Sequence, residues 1–373
     1  MPFINYNHLL DAHSHFSLGG WGTLVIMVIL VCELLPETLN KKPVYQWLLG
    51  GIFSGAWFML LTFLIWGYSS ISSISTICFI FLNYVWCGVF MRDFLNTKTE
   101  SSVKLLTISS IVCLILSTSG PIGIAYIYFS KTFDAFLYRN VLFTYLHFLY
   151  NGFFTLALLA VLFQVIGQNI SVKAAKNIRW FSIAVSASLI PSLFITFLWQ
   201  DPNGWMRFIA ILGCLLLLYC FYRFLITTAS LRSVYKEETP GARFLILISL
   251  GSFALKLLLQ SFTVFPVIGN AIFGNRPVIM GFLHMVFLGF VTLFVVGYFQ
   301  RRGLLHSDRK LVNIAIHVFA IAVIINELLL LTQGLANMLI TGSMVFAWLL
   351  WIAGVGLLSG SVLLLLGRIQ SRK

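Results

Sequence analysis

Histidine is the residue type in this chain best suited to chemistry, and three of its seven copies recur in one pattern. Reading forward from His15 gives H-F-S-L-G-G-W-G-T-L, from His147 H-F-L-Y-N-G-F-F-T-L, and from His284 H-M-V-F-L-G-F-V-T-L. All three fit His-x4-Gly-aromatic-x-Thr-Leu and begin 132 and 137 residues apart (147 minus 15, 284 minus 147). A motif repeated at such a period divides the chain into three blocks, approximately 1–132, 133–270 and 271–373. An imidazole within an apolar run is costly unless it has a partner, and neutral imidazole is a ligand for iron, copper or zinc.

Other polar residues could join such a site. His13 and His15 form an H-x-H pair; two positions on a helix differ by about 200°, so the two rings would face different ways and could serve two centres. Tyr150 and Asn151 follow His147 within one turn and could hydrogen-bond a bound ligand. Glu327 and Lys256 are ionisable residues inside apolar runs. Glu327 could be a metal ligand, a partner to a ligating histidine or a proton carrier, and Lys256 a proton-path group or a partner for a cofactor propionate. Each has a plainer reading. A histidine can simply donate to a backbone carbonyl or a neighbouring hydroxyl, the motif glycine can be a close-packing position, and Tyr150 and Asn151 can be packing residues. Glu327 can face water at an interface, and Lys256 can snorkel toward one. His8 at the surface, His306 in a loop and His317 in the tenth apolar run are left out of the site.

The elements that carry these residues follow from composition. The chain is 60% hydrophobic and 9% charged, with a mean hydropathy of +0.96, which excludes a soluble domain with a charged surface. Apolar runs of about 20 residues, the length a bilayer requires, recur throughout. The expected fold is an all-α, polytopic membrane bundle of about eleven (10–12) helices, at approximately 9–35, 44–68, 71–91, 104–128, 140–166, 178–199, 206–228, 243–265, 277–299, 310–333 and 343–367. The net charge of +13 then reads as loop charge and not as a nucleic-acid surface. No cationic stretch or cleavage site precedes the first run, so it is expected to stay in the protein. All six cysteines fall within spans without a CxxC or CxxCH motif, and read as small buried residues.

Lys and Arg cluster in alternate connections, from Lys41 and Lys42 to Arg368, Arg372 and Lys373, while the intervening connections hold only Lys131, Arg139, Arg207 and Arg276. This predicts an outside N-terminus and a cytoplasmic C-terminus. The motif helices are then the first, fifth and ninth, all running inward. His147 lies seven residues after Asn140 and His284 seven after Pro277, about 10 Å below the outer surface by helix rise. His15 matches if the first helix starts near His8 with Asn7 as its N-cap. The pattern thus predicts a layer of histidines on three helices related by pseudo-threefold symmetry.

In these features the chain resembles the catalytic subunits of the haem-copper oxidase and nitric oxide reductase superfamily. That family has a twelve-helix, pseudo-threefold core, with metal-binding histidines near the outer ends of its second, sixth and tenth helices; without the family's first helix, these match the first, fifth and ninth here. The resemblance implies that His13 or His15, with His284, is the axial pair of a low-spin haem b. It implies that His147 is a ligand of a second metal, copper or non-haem iron, and makes Glu327 similar in kind to the acidic residues at the iron centre of nitric oxide reductases. The chain departs from the family around Leu198 to Asp201, where an adjacent His-His pair belongs and no histidine is found, so a complete oxidase centre is not implied. The H-S-H opening is also similar to the H-A-H start of NnrS-type haem and copper membrane proteins, associated with nitric oxide tolerance. The expectation is a haem-binding redox protein of a bacterial inner membrane, acting on nitric oxide or oxygen or passing electrons, with a separate donor protein or quinol. The alternatives are a metal-free transporter or channel whose histidines line a substrate or proton path, and a structural partner of a larger complex.

Overall fold

A computed structural model of the chain describes residues 5–132, 134–167, 170–306, 309–339 and 343–370. Arg372 and Lys373 of the last basic cluster lie outside the described residues. Among the described residues there is no strand, and eleven helices are long and apolar enough to cross a membrane. They are α1 (Tyr6–Leu34), α2 (Pro43–Trp66), α3 (Ser70–Leu95), α4 (Ser101–Ser130), α5 (Ala135–Ile166), α6 (Val172–Gln200), α7 (Gly204–Ser230), α8 (Pro240–Phe262), α9 (Arg276–Arg301), α10 (Lys310–Met338) and α11 (Val345–Gln370). The protein is an all-α polytopic membrane protein, as composition and hydropathy predict. None of the six cysteines forms a disulfide; Cys87, Cys113, Cys214 and Cys220 are buried as expected, whereas Cys32 and Cys78 are exposed.

Polar caps set the helix ends, and these carry the helices beyond their apolar runs. α1 begins at Tyr6 because the Asn5 side chain accepts from the Asn7 backbone, so Asn5 and not Asn7 is the N-cap. Asp134 caps α5 by accepting from the backbones of Phe136 and Leu137, which starts that helix five residues earlier than the apolar run. His147 consequently lies twelve residues into α5, while His15 lies nine residues into α1 and His284 eight into α9. Helix starts therefore do not by themselves put the three histidines at one level.

The chain forms two compact units, Met1–Asn169 with α1–α5 and Ile170–Lys373 with α6–α11. The division falls after α5 and does not follow the three blocks of the motif spacing. α5 is the most enclosed of the eleven helices, with 83% of its most apolar stretch buried and Phe153, Phe154, Leu156 and Leu158 fully enclosed. The charged end of the first unit is closed by Asp93, which accepts from Lys42 Nζ at 2.7 and 2.8 Å and from the Tyr45 hydroxyl at 3.0 Å. In the second unit Pro191 interrupts α6, which finishes as a tighter 3₁₀ stretch, Phe194–Gln200. Asp201 follows and pairs with Arg207. This ion pair occupies the region where the oxidase resemblance would put two histidines.

Candidate functional site

The three motif copies share an unusual backbone. Within α1, α5 and α9 the helix widens to π-helical turns at His15–Gly22, His147–Phe154 and Met285–Thr292. In each, the motif threonine hydroxyl donates to the carbonyl five residues back: Thr23 to Leu18 at 2.9 Å, Thr155 to Tyr150 at 2.6 Å and Thr292 to Phe287 at 2.8 Å. The backbone N–H groups of Thr23 and Thr155 reach the same carbonyls. One carbonyl thus receives two donors across the widened turn, which offsets the poorer geometry of π-helical hydrogen bonding.

The motif glycine is explained by packing. A Cβ on Gly20 would stand 2.9 Å from Ala56 Cβ of α2, one on Gly152 2.4 Å from Cys113 Cβ of α4, and one on Gly289 2.8 Å from Ser252 Oγ of α8. Each widened turn therefore presses its glycine onto a small residue of a neighbouring helix in its own unit, as intramembrane helix pairs commonly do.

The histidines differ in what holds them. His13 is exposed and His15 turns inward, the divergence expected for H-x-H on a helix. The His15 ring stacks on Phe63, with centroids 4.0 Å apart and planes at 12°, and its Nε2 meets the Tyr68 hydroxyl at 3.3 Å. Tyr68 lies in the connection between α2 and α3, where burial pushes its hydroxyl well above the usual phenol range, so it stays protonated. His147 is buried and accepts from Asn151 Nδ2 through Nδ1 at 3.0 Å. With the amide in that orientation the ring proton sits on Nε2. Asn151 Oδ1 is buried without a partner among the described residues. Tyr150 packs edge-on against Phe154. His284 donates from Nδ1 to the Met280 carbonyl at 2.8 Å. A carbonyl can only accept, so the neutral ring carries its proton on Nδ1 and keeps a lone pair on Nε2, the state a metal ligand needs. His317 makes the same bond to Asn313, at 2.7 Å, but stacks on Phe244 outside any motif copy.

Glu327 is half-buried and accepts from its neighbour Asn326 at 3.1 Å. Lys256 does not snorkel: it is 2% exposed, with Nζ over the Phe253 ring at 5.4 Å. Among the described residues no three His, Cys, Asp or Glu side chains come together to hold a metal ion. The cavity beside His15, about 50 Å³, is far below the roughly 300–1,000 Å³ of cofactor pockets and does not fit a macrocycle. The donor chemistry of His284, considered within its own unit, does fit a haem ligand.

Three contributors were not singled out from the sequence: Phe63 and Tyr68, which hold His15, and Asn83, which lines the cavity. A lone Asn in the apolar run of α3 and a Tyr after the Gly67 that ends α2 were the available signals. No protein-family model and no curated protein matches the chain.

Proposed function

We propose that the chain is a haem-binding integral membrane redox protein, a divergent relative of the haem-copper oxidase and nitric oxide reductase subunits, with His284 as an axial ligand of a haem b. The observation that carries this reading is the conjunction at the ninth helix of a motif histidine, a ring proton fixed by Met280 and a free Nε2 lone pair at the head of a π-helical turn. π-helical turns concentrate at functional sites, and two further helices repeat the same turn with the same threonine bond. A bound haem b would supply a one-electron couple; the chain's part is to orient the imidazole through Met280. Copper or non-haem iron at His147 would require the Asn151 amide to turn so that its oxygen accepts from Nδ1–H, freeing Nε2 for the metal.

The basic connections support an outside N-terminus and a cytoplasmic C-terminus in a bacterial inner membrane. Electrons would come from a separate protein or a quinol, and nitric oxide or oxygen are the acceptors the resemblance favours.

A second reading has its own support: the narrowness of the cavity beside His15 suits a metal-free transporter or channel, in which the histidines line a substrate or proton path. A pyridine haemochrome assay on the purified protein, expressed with ample haem, separates the two. Stoichiometric haem b supports the redox reading, and its absence supports the transporter.

A further inference from the structure

α6 and α7 pack as an antiparallel pair whose contact line runs through Asn177, Phe181 and Pro191 of α6 and Thr227, Phe224 and Gly213 of α7. Arg223 lies beside that line, seven residues before the end of α7, which is about 10 Å of helix. A guanidinium at that depth is costly in hydrocarbon. This one turns back toward the helix end, where its Nη2 donates to Asn177 Oδ1 at 3.4 Å. Asn177 is level with Thr227, whose hydroxyl donates to the Asn177 carbonyl at 3.3 Å, so the charged head sits about one turn nearer the end than its own Cα. Asn177 is neutral and leaves the charge without a counter-ion. Among the described residues no carboxylate pairs with Arg223, Lys173 or Lys176.

The residues beside Arg223 supply the rest of a headgroup site. At about 100° per residue, Lys173 and Trp180 lie to one side of the contact line on α6, and Arg223 and Tyr219 to one side of it on α7. Because the helices run antiparallel, both pairs fall on the same edge of the groove, where Lys173, Lys176, Trp180 and Tyr219 are exposed. From the helix ends inward, that edge presents the two lysines, then the Arg223 head beside Asn177, then Trp180 and Tyr219. A phospholipid has the same order: phosphate outermost, esters at the depth where indole and phenol rings settle, acyl chains beyond. We propose that this edge binds one anionic phospholipid, with its phosphate held by Arg223, Lys173 and Lys176 and its chains along Trp180 and Tyr219. The inference needs the chain to lie in a bilayer and does not depend on haem.

Native mass spectrometry of the full-length protein, released from detergent with added phosphatidylglycerol or phosphatidylcholine of the same acyl chains, tests it. Phosphatidylglycerol should bind about tenfold more tightly than phosphatidylcholine, as one molecule retained per chain, and millimolar inorganic phosphate should not displace it. Lys173→Gln with Lys176→Gln should bring phosphatidylglycerol down to the phosphatidylcholine level. The same charge removed elsewhere, by Arg309→Gln with Lys310→Gln at the exposed start of α10, should leave the preference intact. Arg223→Leu should match the lysine pair, which is exposed and carries the test if the leucine variant does not fold. Equal affinity for the two lipids in the unmodified protein would overturn the proposal. So would an equal loss in both double variants, which would make the preference a property of basic surface at large, or displacement by phosphate, which would make the ligand a free anion.

Discussion

At the scale of single residues, the histidines show how much a sequence pattern conveys and where it stops. The tripled motif was legible, and so was the opposite facing of His13 and His15, because both follow from spacing and helix pitch. The tautomers were not, since each depends on a neighbour in space: Asn151 for His147, Tyr68 for His15 and the local carbonyl of Met280 for His284. The motif glycine makes a sharp prediction at this scale. Gly152→Ala places a methyl 2.4 Å from Cys113 Cβ and should cost about 1–3 kcal/mol, seen as a lower midpoint in thermal denaturation in detergent. Gly88→Ala, at an α3 position with nothing within 4 Å of the new methyl, should be neutral or gain about 0.5–1 kcal/mol from helix propensity. Equal losses for both would show that the motif glycine is not a packing position.

At the scale of the helix, the widened turns were not predicted. Their signal is a threonine five residues after the carbonyl it caps, a spacing the motif contains in all three copies. Hydropathy could not reveal it, because a π-helical turn leaves the apolar content of a span unchanged, and only the pressed glycine contact and the threonine bond mark where the helix widens. Thr155→Val removes the hydroxyl bond to Tyr150 and should weaken the α5 turn by about 1 kcal/mol. Hydrogen exchange should accelerate at amides around 150–156 and not in α7. Unchanged exchange in that segment would mean the hydroxyl plays no part in holding the turn. Helix ends were misplaced by a few residues for a related reason: Asn5 and Asp134 are polar, so the cutoff of an apolar run passes over the caps that start α1 and α5.

At the scale of the whole molecule, eleven spans were legible because 60% apolar composition and runs of bilayer length leave few other folds. The division into two units after α5 was not, since it rests on the packing of α5 with α1 and α4, which spacing along the chain does not show. The charge pattern also predicts orientation. A fluorescent protein fused after α11 should fluoresce in a bacterial host, and alkaline phosphatase fused in the connection after Asp201 should be active. The reverse pattern would invert the proposed topology and put the motif histidines on the opposite half of the membrane. The central claim, haem ligation by a motif histidine, is tested most directly by the reduced-minus-oxidised spectrum of the purified protein and its histidine variants. The account predicts a low-spin haem b spectrum that His284→Ala abolishes and His317→Ala leaves intact, although both rings bond a carbonyl four residues back. A protein without haem despite ample supply, or a spectrum that survives His284→Ala, would contradict it.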